Sequence, residues 1–431
     1  MESWRAAGQL AAERSASAEA ADHFRHAVGC LQRLGSDAVP AEERAAIQVA
    51  LATALMQADG YRANGLAAAV EAAEAAAAVS DSLSLRCQVV LQMTAVLCGA
   101  GRHNSYVNAV DRLLDDASDG LSPAMRGSLL VARSIGCYHR GSFAEAERGF
   151  EAARDLLSIS APSDTERLGG ADAVVAAASY ASLTMQILGR LETAHATQRI
   201  AEARARSLND PFSLAWALFG RARTYCALGE WEPALEDAEE TVTIARQFGF
   251  SAFVARGLEF RGRARGALGD AAAGIEDCRE ALRLWSKSGV VQTTPNIAAI
   301  LAELLVGIGH ADHAGKVLDD VDALVEGTDE AAALAECQRV RGLTALADGR
   351  LPEAVRWLEM AVETSRNQGA RLYELRATTS LAEVNDRYGG TRDVRHALAD
   401  LYGWFTEGHR APDLQRAKTA LDHMSRENDN T

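Results

Sequence analysis

Residues 212–249 read FSLAWALFGRARTYCALGEWEPALEDAEETVTIARQFG, two stretches of helical period on either side of Gly229. In each, apolar side chains return every three to four positions, the spacing of one helix face. Gly229 separates them. A chain that reverses between two helices needs a left-handed residue, which glycine supplies without steric cost. The same punctuation recurs: Gly189, Gly229, Gly269, Gly309, Gly349 and Gly389 follow one another at steps of 40 residues, and Gly101 and Gly141 keep that step. Only the interval from Gly141 to Gly189 is longer, at 48. A fixed period of this size is the mark of a helical repeat array.

The positions after each glycine also repeat. Five residues beyond the turn stands a small residue, four further a second core residue, and three further a third. These are Ala146, Phe150 and Ala153 after Gly141, then Ala234, Ala238 and Thr241 after Gly229. Gly274, Cys278 and Ala281 follow Gly269; Ala314, Leu318 and Val321 follow Gly309; Ala354, Leu358 and Ala361 follow Gly349. Two antiparallel helices approach closely only where a small side chain sits at their crossing, and the next apolar residue fills the gap to the following pair. Ser142, Glu230 and Asp270, directly after their glycines, are placed to cap the second helix.

This small–large–small pattern after a turn glycine is similar to the tetratricopeptide repeat. Trp4, Gly8, Ala20, Phe24 and Ala27 stand at that repeat's own spacing. The later repeats keep a step of 40 rather than the usual step of about 34. Four stretches carry a narrower resemblance: WRAAGQLAAERSASAEAADHF (4–24), LATALMQADGYRA (51–63), the segment 335–384 and LADLYGWFTEGHRAPDLQRAKTALDHM (398–424). On these, residues 1–424 resemble the helical-repeat arm that follows the nucleotide-binding module of large bacterial signalling ATPases. That group includes transcriptional regulators and class III adenylate cyclases. The ATPase and cyclase domains of such proteins are not in this sequence. Its nearest approach to a phosphate loop, GHADHAGKV (309–317), has five residues between its glycines and Val317 where a hydroxyl should meet magnesium.

The expected fold is therefore all-α: a right-handed superhelical solenoid of about ten antiparallel helix pairs with a C-terminal capping helix. The pairs fall at 3–34, 42–79, 84–117, 122–157, 170–207, 211–248, 251–287, 294–325, 330–367 and 370–403, with the cap at 412–424. Residues 1–157 and 170–424 form the two runs of repeats. Between them 158–169, within SISAPSDTERLGG, reads as a loop or break, and 425–431 as a disordered tail. Composition agrees, with 48% apolar and 24% charged residues and only eight prolines. A net charge of −15 argues against nucleic acid as a ligand, because such binders neutralise phosphate. No stretch reads as a signal or membrane-spanning segment, and the expectation is a cytoplasmic protein. The seven scattered cysteines, without metal spacing, suit reduced buried thiols.

Catalytic motifs such as HExxH and GxSxG are absent, so no enzyme activity, cofactor or metal is expected. His310 and His313, like His23 and His26, are three apart and read as solvated side chains. Arginines recur in register: Arg221 with Arg261 and Arg341, and Arg223 with Arg263. Equivalent positions stack on a solenoid, so these make a stripe able to clamp an anionic group, or else to pair with acids such as Glu259 and Glu303. By the tetratricopeptide resemblance, the first helix of each pair lines the concave surface. The candidate groove residues are then Tyr138, Trp216, Phe219, Arg223, Arg256, Glu259, Arg263, Asn296, Glu303, Arg339, Arg376 and Glu383. The aromatics serve equally as hot-spot anchors or as core between repeats. Trp4, Trp285, Trp357 and Trp404 read as core or cap.

Three functions fit: an interaction scaffold or sensor arm holding a peptide or protein partner, among them a signalling ATPase or transcriptional regulator; a receptor for an anionic small molecule; or an enzyme using Glu259, Glu303 or Glu383. The last has no support in spacing. The purified chain should give a wholly helical circular dichroism spectrum and no ATP turnover. ATP hydrolysis abolished by Lys316→Ala would show that the 309–317 segment is a phosphate loop after all.

Overall fold

A computed structural model describes residues 1–34, 38–60, 63–117, 120–159, 167–168, 170–388 and 392–429. Each expected pair is present: α1 (Glu2–Glu13) with α2 (Ser17–Leu34), α3 (Ala41–Asp59) with α4 (Leu66–Ala77), α5 (Leu83–Gly99) with α6 (His103–Asp116), and α7 (Pro123–His139) with α8 (Phe143–Ser158). Then come α9 (Ala173–Ile187) with α10 (Leu191–Leu208), α11 (Pro211–Leu228) with α12 (Trp231–Phe248), and α13 (Ser251–Ala267) with α14 (Ala271–Ser288). The array ends with α15 (Thr294–Gly307) and α16 (Ala311–Val325), α17 (Leu334–Ala347) and α18 (Leu351–Asn367), α19 (Arg371–Tyr388) and α20 (Arg392–Trp404), and the cap α21 (Pro412–Asp429). The cap runs five residues past its expected end at 424, into the expected tail at 425–431. Gly389 lies outside the described residues. Among the described residues no helix is long and apolar enough to cross a membrane.

The turn glycines behave alike. Gly101, Gly141, Gly189, Gly229, Gly269, Gly309 and Gly349 all have φ between +70° and +96°. In every case the next residue's N–H reaches back across the turn, as Glu230 does to the Tyr225 carbonyl at 3.0 Å and Arg350 to Ala345 at 2.8 Å. That closure satisfies carbonyls at the helix end while the chain reverses. Of the proposed caps, Asp270 accepts from the Ala273 N–H, but neither Ser142 nor Glu230 makes a side-chain cap. A second ladder closes the other end of the pairs. Asn209, Gly249, Gly289 and Gly369 are left-handed and also stand at multiples of 40 residues, half a repeat out of phase.

Packing follows from the pattern. Ala146, Ala234, Ala314 and Ala354 are wholly buried at the helix crossings. Where the repeat has Gly274, the contact is closest: a Cβ on Gly262 would stand 2.7 Å from the Gly274 carbonyl oxygen. The first helix of a pair is sandwiched and the second is amphipathic. In α11 twelve residues are buried, in α12 only six, though both are 18 long. Trp285 is core, whereas Trp4 and Trp404, 40% and 45% exposed, cover the array's ends.

The long interval does not interrupt the core. Its described part forms two short antiparallel strands, β1 (Arg167–Leu168) and β2 (Ala171–Asp172). Leu168 is buried in the same apolar cluster as Cys87, Tyr180, Phe260 and Tyr373. Asp172 then caps α9 through the Val174 and Val175 N–H groups and pairs with Arg204 at 2.8 Å. Six of the seven cysteines are buried, and all are free.

The array completes a turn and returns on itself. Backbone bonds join Val291 N–H to the Gly99 carbonyl (2.9 Å), Asp329 to Gly101 (2.8 Å) and Ala331 to His139 (2.8 Å). Replacing Gly262 by alanine should destabilise the protein by ~1–3 kcal/mol through overpacking. Gly307→Ala, at a helical glycine with open space beside it, should be neutral or stabilising by up to ~1 kcal/mol. Denaturant midpoints of the two variants separate these outcomes, and equal midpoints would discount the crossing constraint.

Candidate ligand channel

Because the turn closes, the first helices α7, α9, α11, α13, α15, α17 and α19 surround a central channel. Its walls contain most of the candidate residues. The Arg223 guanidinium of α11 lies 5.9 Å from the Tyr138 ring of α7. Arg256 of α13 lies 4.9 Å from the Phe219 ring and 5.9 Å from that of Trp285. On α17, Arg339 donates to Glu303 at 2.8 Å and to Glu336 at 3.2 Å. From α19, Arg376 bridges Glu336 at 2.9 Å and Asp413 at 2.8 Å. Such pairing is what allows charges to lie inside a fold at tolerable cost.

Two groups stand apart. The Asn296 amide donates to one oxygen of Glu259, and the other oxygen is buried without a hydrogen-bond partner among the described residues. Burial pushes the Glu259 carboxyl up to about 7, against the pull of Arg223, Asn296, Arg256 and Arg263. Arg263 makes no hydrogen bond or ion pair among the described residues. Glu303, by contrast, stays ionised: burial would raise it, but Arg339, Arg263 and Arg376 draw it down to about 2.

The channel is narrow. One cavity of about 40 Å³ is lined by Arg223, Arg263, Asn296, Tyr373 and Arg376 among others. A second, of about 20 Å³, adds Glu259 and Thr293 and shares Arg223, Asn296 and Tyr373. Thr293 is left-handed at φ 63°, an uncommon state for a β-branched residue.

Not every candidate points inward. Trp216, Phe219 and Tyr138 are 7%, 3% and 3% exposed, so these aromatics pack as core; Phe219 and Tyr138 also wall the channel, and Trp216 lies off it. Glu383 pairs with Arg416 of the cap at 2.5 Å and joins none of the other candidates. The arginine stripe divides in two. Arg221 pairs with Asp237 at 2.5 Å, Arg261 with Asp277 at 2.5 Å, and Arg341 with Asp322 at 2.5 Å, all on second helices. Only Arg223 and Arg263 line the channel. The two sets differ by two residues, which on a helix is about 200°.

Sequence reasoning missed a buried clamp across the seam. Glu330 accepts from His103 and His139, each at 3.1 Å. The other face of His139 meets Tyr180 and Gln292, at 3.2 Å and 2.7 Å. Burial alone would lower His103, but the neighbouring Cys98 side chain and the bond to Glu330 prevail and raise it to about 10. For Glu330, burial is outweighed by His139 and His103, and the carboxyl falls to about 2. Burial keeps His139 below its usual value, hence neutral. The clamp is thus one carboxylate, one imidazolium and one neutral imidazole. Among the described residues it is also one of two groups with metal-type donors, the other being the exposed His310, Asp312 and His313. Glu330 stands in a loop, off the repeat register, so no periodicity marked it.

No family model and no curated protein sequence matches the chain. Solved structures share its fold. NprR in complex with its cognate peptide NprX is similar with a TM-score of 0.57 at 12% identity, over 80% of this chain and 94% of that one. A Rap protein complexed with competence and sporulation factor gives 0.54 at 12%, over 90% and 98%. Cut9 from the APC/C assembly Cut9–Hcn1 gives 0.54 at 13%, over 96% and 74%. The chain is a tetratricopeptide-like helical solenoid.

The clamp predicts a pH dependence. A raised His103 adds stability that is complete below 6.5 and lost as pH rises through about 10. A lowered Glu330 adds stability present above 4.5 and lost as pH falls through about 2. Glu330→Gln should therefore cost roughly 3 kcal/mol or more near pH 6, and the cost should shrink towards both extremes. A difference from wild type that stays constant up to pH 10 would remove the imidazolium from the clamp.

Proposed function

We propose that the chain is a non-enzymatic sensor or interaction scaffold that receives a peptide or protein segment in its concave channel. The observation that carries this reading is Arg263: a cation on the channel wall that makes no hydrogen bond or close ion pair among the described residues, in a ring where other guanidiniums are paired or packed on aromatic faces. Structural pairing explains the outward arginines and leaves this one over. Two neighbours in fold, NprR with its cognate peptide and Rap with competence and sporulation factor, are named as complexes with such ligands. The resemblance of the sequence to the arm of bacterial signalling ATPases extends the reading to regulation, with a signalling ATPase or a transcriptional regulator as the output. The narrowness of the channel favours one other occupant, an anionic small molecule, because a folded partner does not fit cavities of about 20 and 40 Å³. Nucleic acid and membrane are not proposed as partners.

Arg263 makes no hydrogen bond among the described residues but helps hold Glu303 ionised, so Arg263→Gln should lower the melting temperature only modestly. The same variant should reduce, by about tenfold or more, the peptides and metabolites that co-purify with the chain, as measured by native mass spectrometry. Unchanged co-purification with an intact melt would take the channel arginine out of ligand binding.

A further inference from the structure

Eight residues before each ladder glycine the first helices carry a large side chain, with one exception. The series is Met93, Arg133, Ala181, Arg221, Arg261, Leu301, Arg341 and Leu381. Its arginines brace second helices. Arg133 bonds Asp111 of α6 at 2.6 Å and Glu145 of α8 at 2.7 Å. Arg221 joins Glu202 of α10 to Asp237 of α12, and Arg341 bonds Asp319 of α16 at 2.8 Å. Leu301 and Leu381 fill the same position with apolar bulk and are 1% and 6% exposed. Ala181 of α9 can do neither.

The acid that answers the arginine is missing as well. Asp237 and Asp277, which pair with Arg221 and Arg261, stand eight residues after their glycines; in α10 that position is Thr197. Here the space is open. A cavity of about 250 Å³ lies between α8, α9 and α10, with Ala181 and Thr197 in its wall. Phe150 and Leu157 of α8, Val174, Ala178 and Met185 of α9 and Ile200 of α10 make most of that wall apolar. Ile200 is 57% exposed at a position where α12, α14 and α16 carry Glu240, Glu280 and Asp320. Apolar walls favour an apolar occupant over water, and an apolar cavity of about 150 Å³ already takes up benzene. This one has room for an aromatic ring with a short chain.

The rim sets the charge. Glu147 pairs with Arg190, and Arg154 with the adjacent Asp155 at 3.1 Å. Glu151 makes no hydrogen bond or ion pair among the described residues. It stands ten residues after Gly141, the place from which Asp111 and Asp319 accept Arg133 and Arg341 after their own glycines. One acid of the brace is therefore kept at this repeat while its cation is absent.

We propose that this cavity binds a small hydrophobic amine, with its apolar body between α8 and α10 and its cationic head on Glu151. The ligand takes the place of the arginine that the other repeats supply from within. The site shares no lining residue with the two channel cavities and does not depend on the channel's role.

The test uses three probes with one body and different heads: phenylpropylamine, phenylpropanol and phenylpropionate. Titration calorimetry on the full chain at low salt should rank the amine about fivefold tighter than the alcohol, with the acid weakest. Glu151→Gln, at an exposed residue, should keep the melting temperature and bring the amine down to the alcohol. Ala181→Arg and Ala181→Leu install what other repeats carry, so each should abolish binding of all three probes in a chain that still melts cooperatively. Binding that persists in a folded filling variant would put the probe elsewhere and overturn the site. Acid binding as tight as that of the amine would overturn the cationic head, and no binding by any probe would overturn the cavity as a ligand site.

Discussion

The structure depends on one backbone constraint, the left-handed residue that reverses the chain between two closely packed helices. At all seven described turns of the ladder a glycine takes this conformation, and the next residue's N–H closes back on the helix. That closure sets the reversal, and a small residue five positions later sets how near the second helix comes. Repeated from pair to pair, the small rotations of such an array add up to a superhelix. It also sorts residues by face. First helices are enclosed by neighbours, while second helices keep one side in water.

Closing the turn brings charges indoors. Arg339, Arg376, Glu303 and Glu336 lie on first helices that would edge an open groove in a shorter array. In this one they face each other across a narrow channel and form a connected set of ion pairs. The seam is held by backbone bonds and by the His103–Glu330–His139 clamp, whose charge is balanced internally. The fold itself is shared with proteins as different as a peptide-bound NprR and an APC/C subunit. Function resides in sites carried on folds, so the shared fold by itself assigns none to this chain.

The legible part of the site was its register. Arg223, Arg256, Glu259, Arg263, Asn296 and Arg339 can be assigned to first helices because their positions repeat with the glycines, and they do converge. The repeat could not say which side of a helix faces the axis, so Arg221, Arg261 and Arg341 entered the same stripe although they turn away to Asp237, Asp277 and Asp322. Trp216 and Phe219 could be read as anchors or as core, and both are buried in the core. Glu330, His139 and Gln292 meet across separations of 191 and 153 residues. No pattern of period 40 contains that information.

Sequence alone determined that this is an array of helix pairs, where each pair begins and ends, and which residues sit at each crossing. Those features are local: they follow from helical period, small side chains and glycine's freedom at a left-handed turn. Only the tertiary structure decided that the array closes on itself, that its inner face is a narrow charged channel, and that one oxygen of Glu259 finds no hydrogen-bond partner there among the described residues. Closure arises from small rotations accumulated over many repeats, and pairing inside the channel depends on which helices then meet across it. Neither quantity is written in any one repeat.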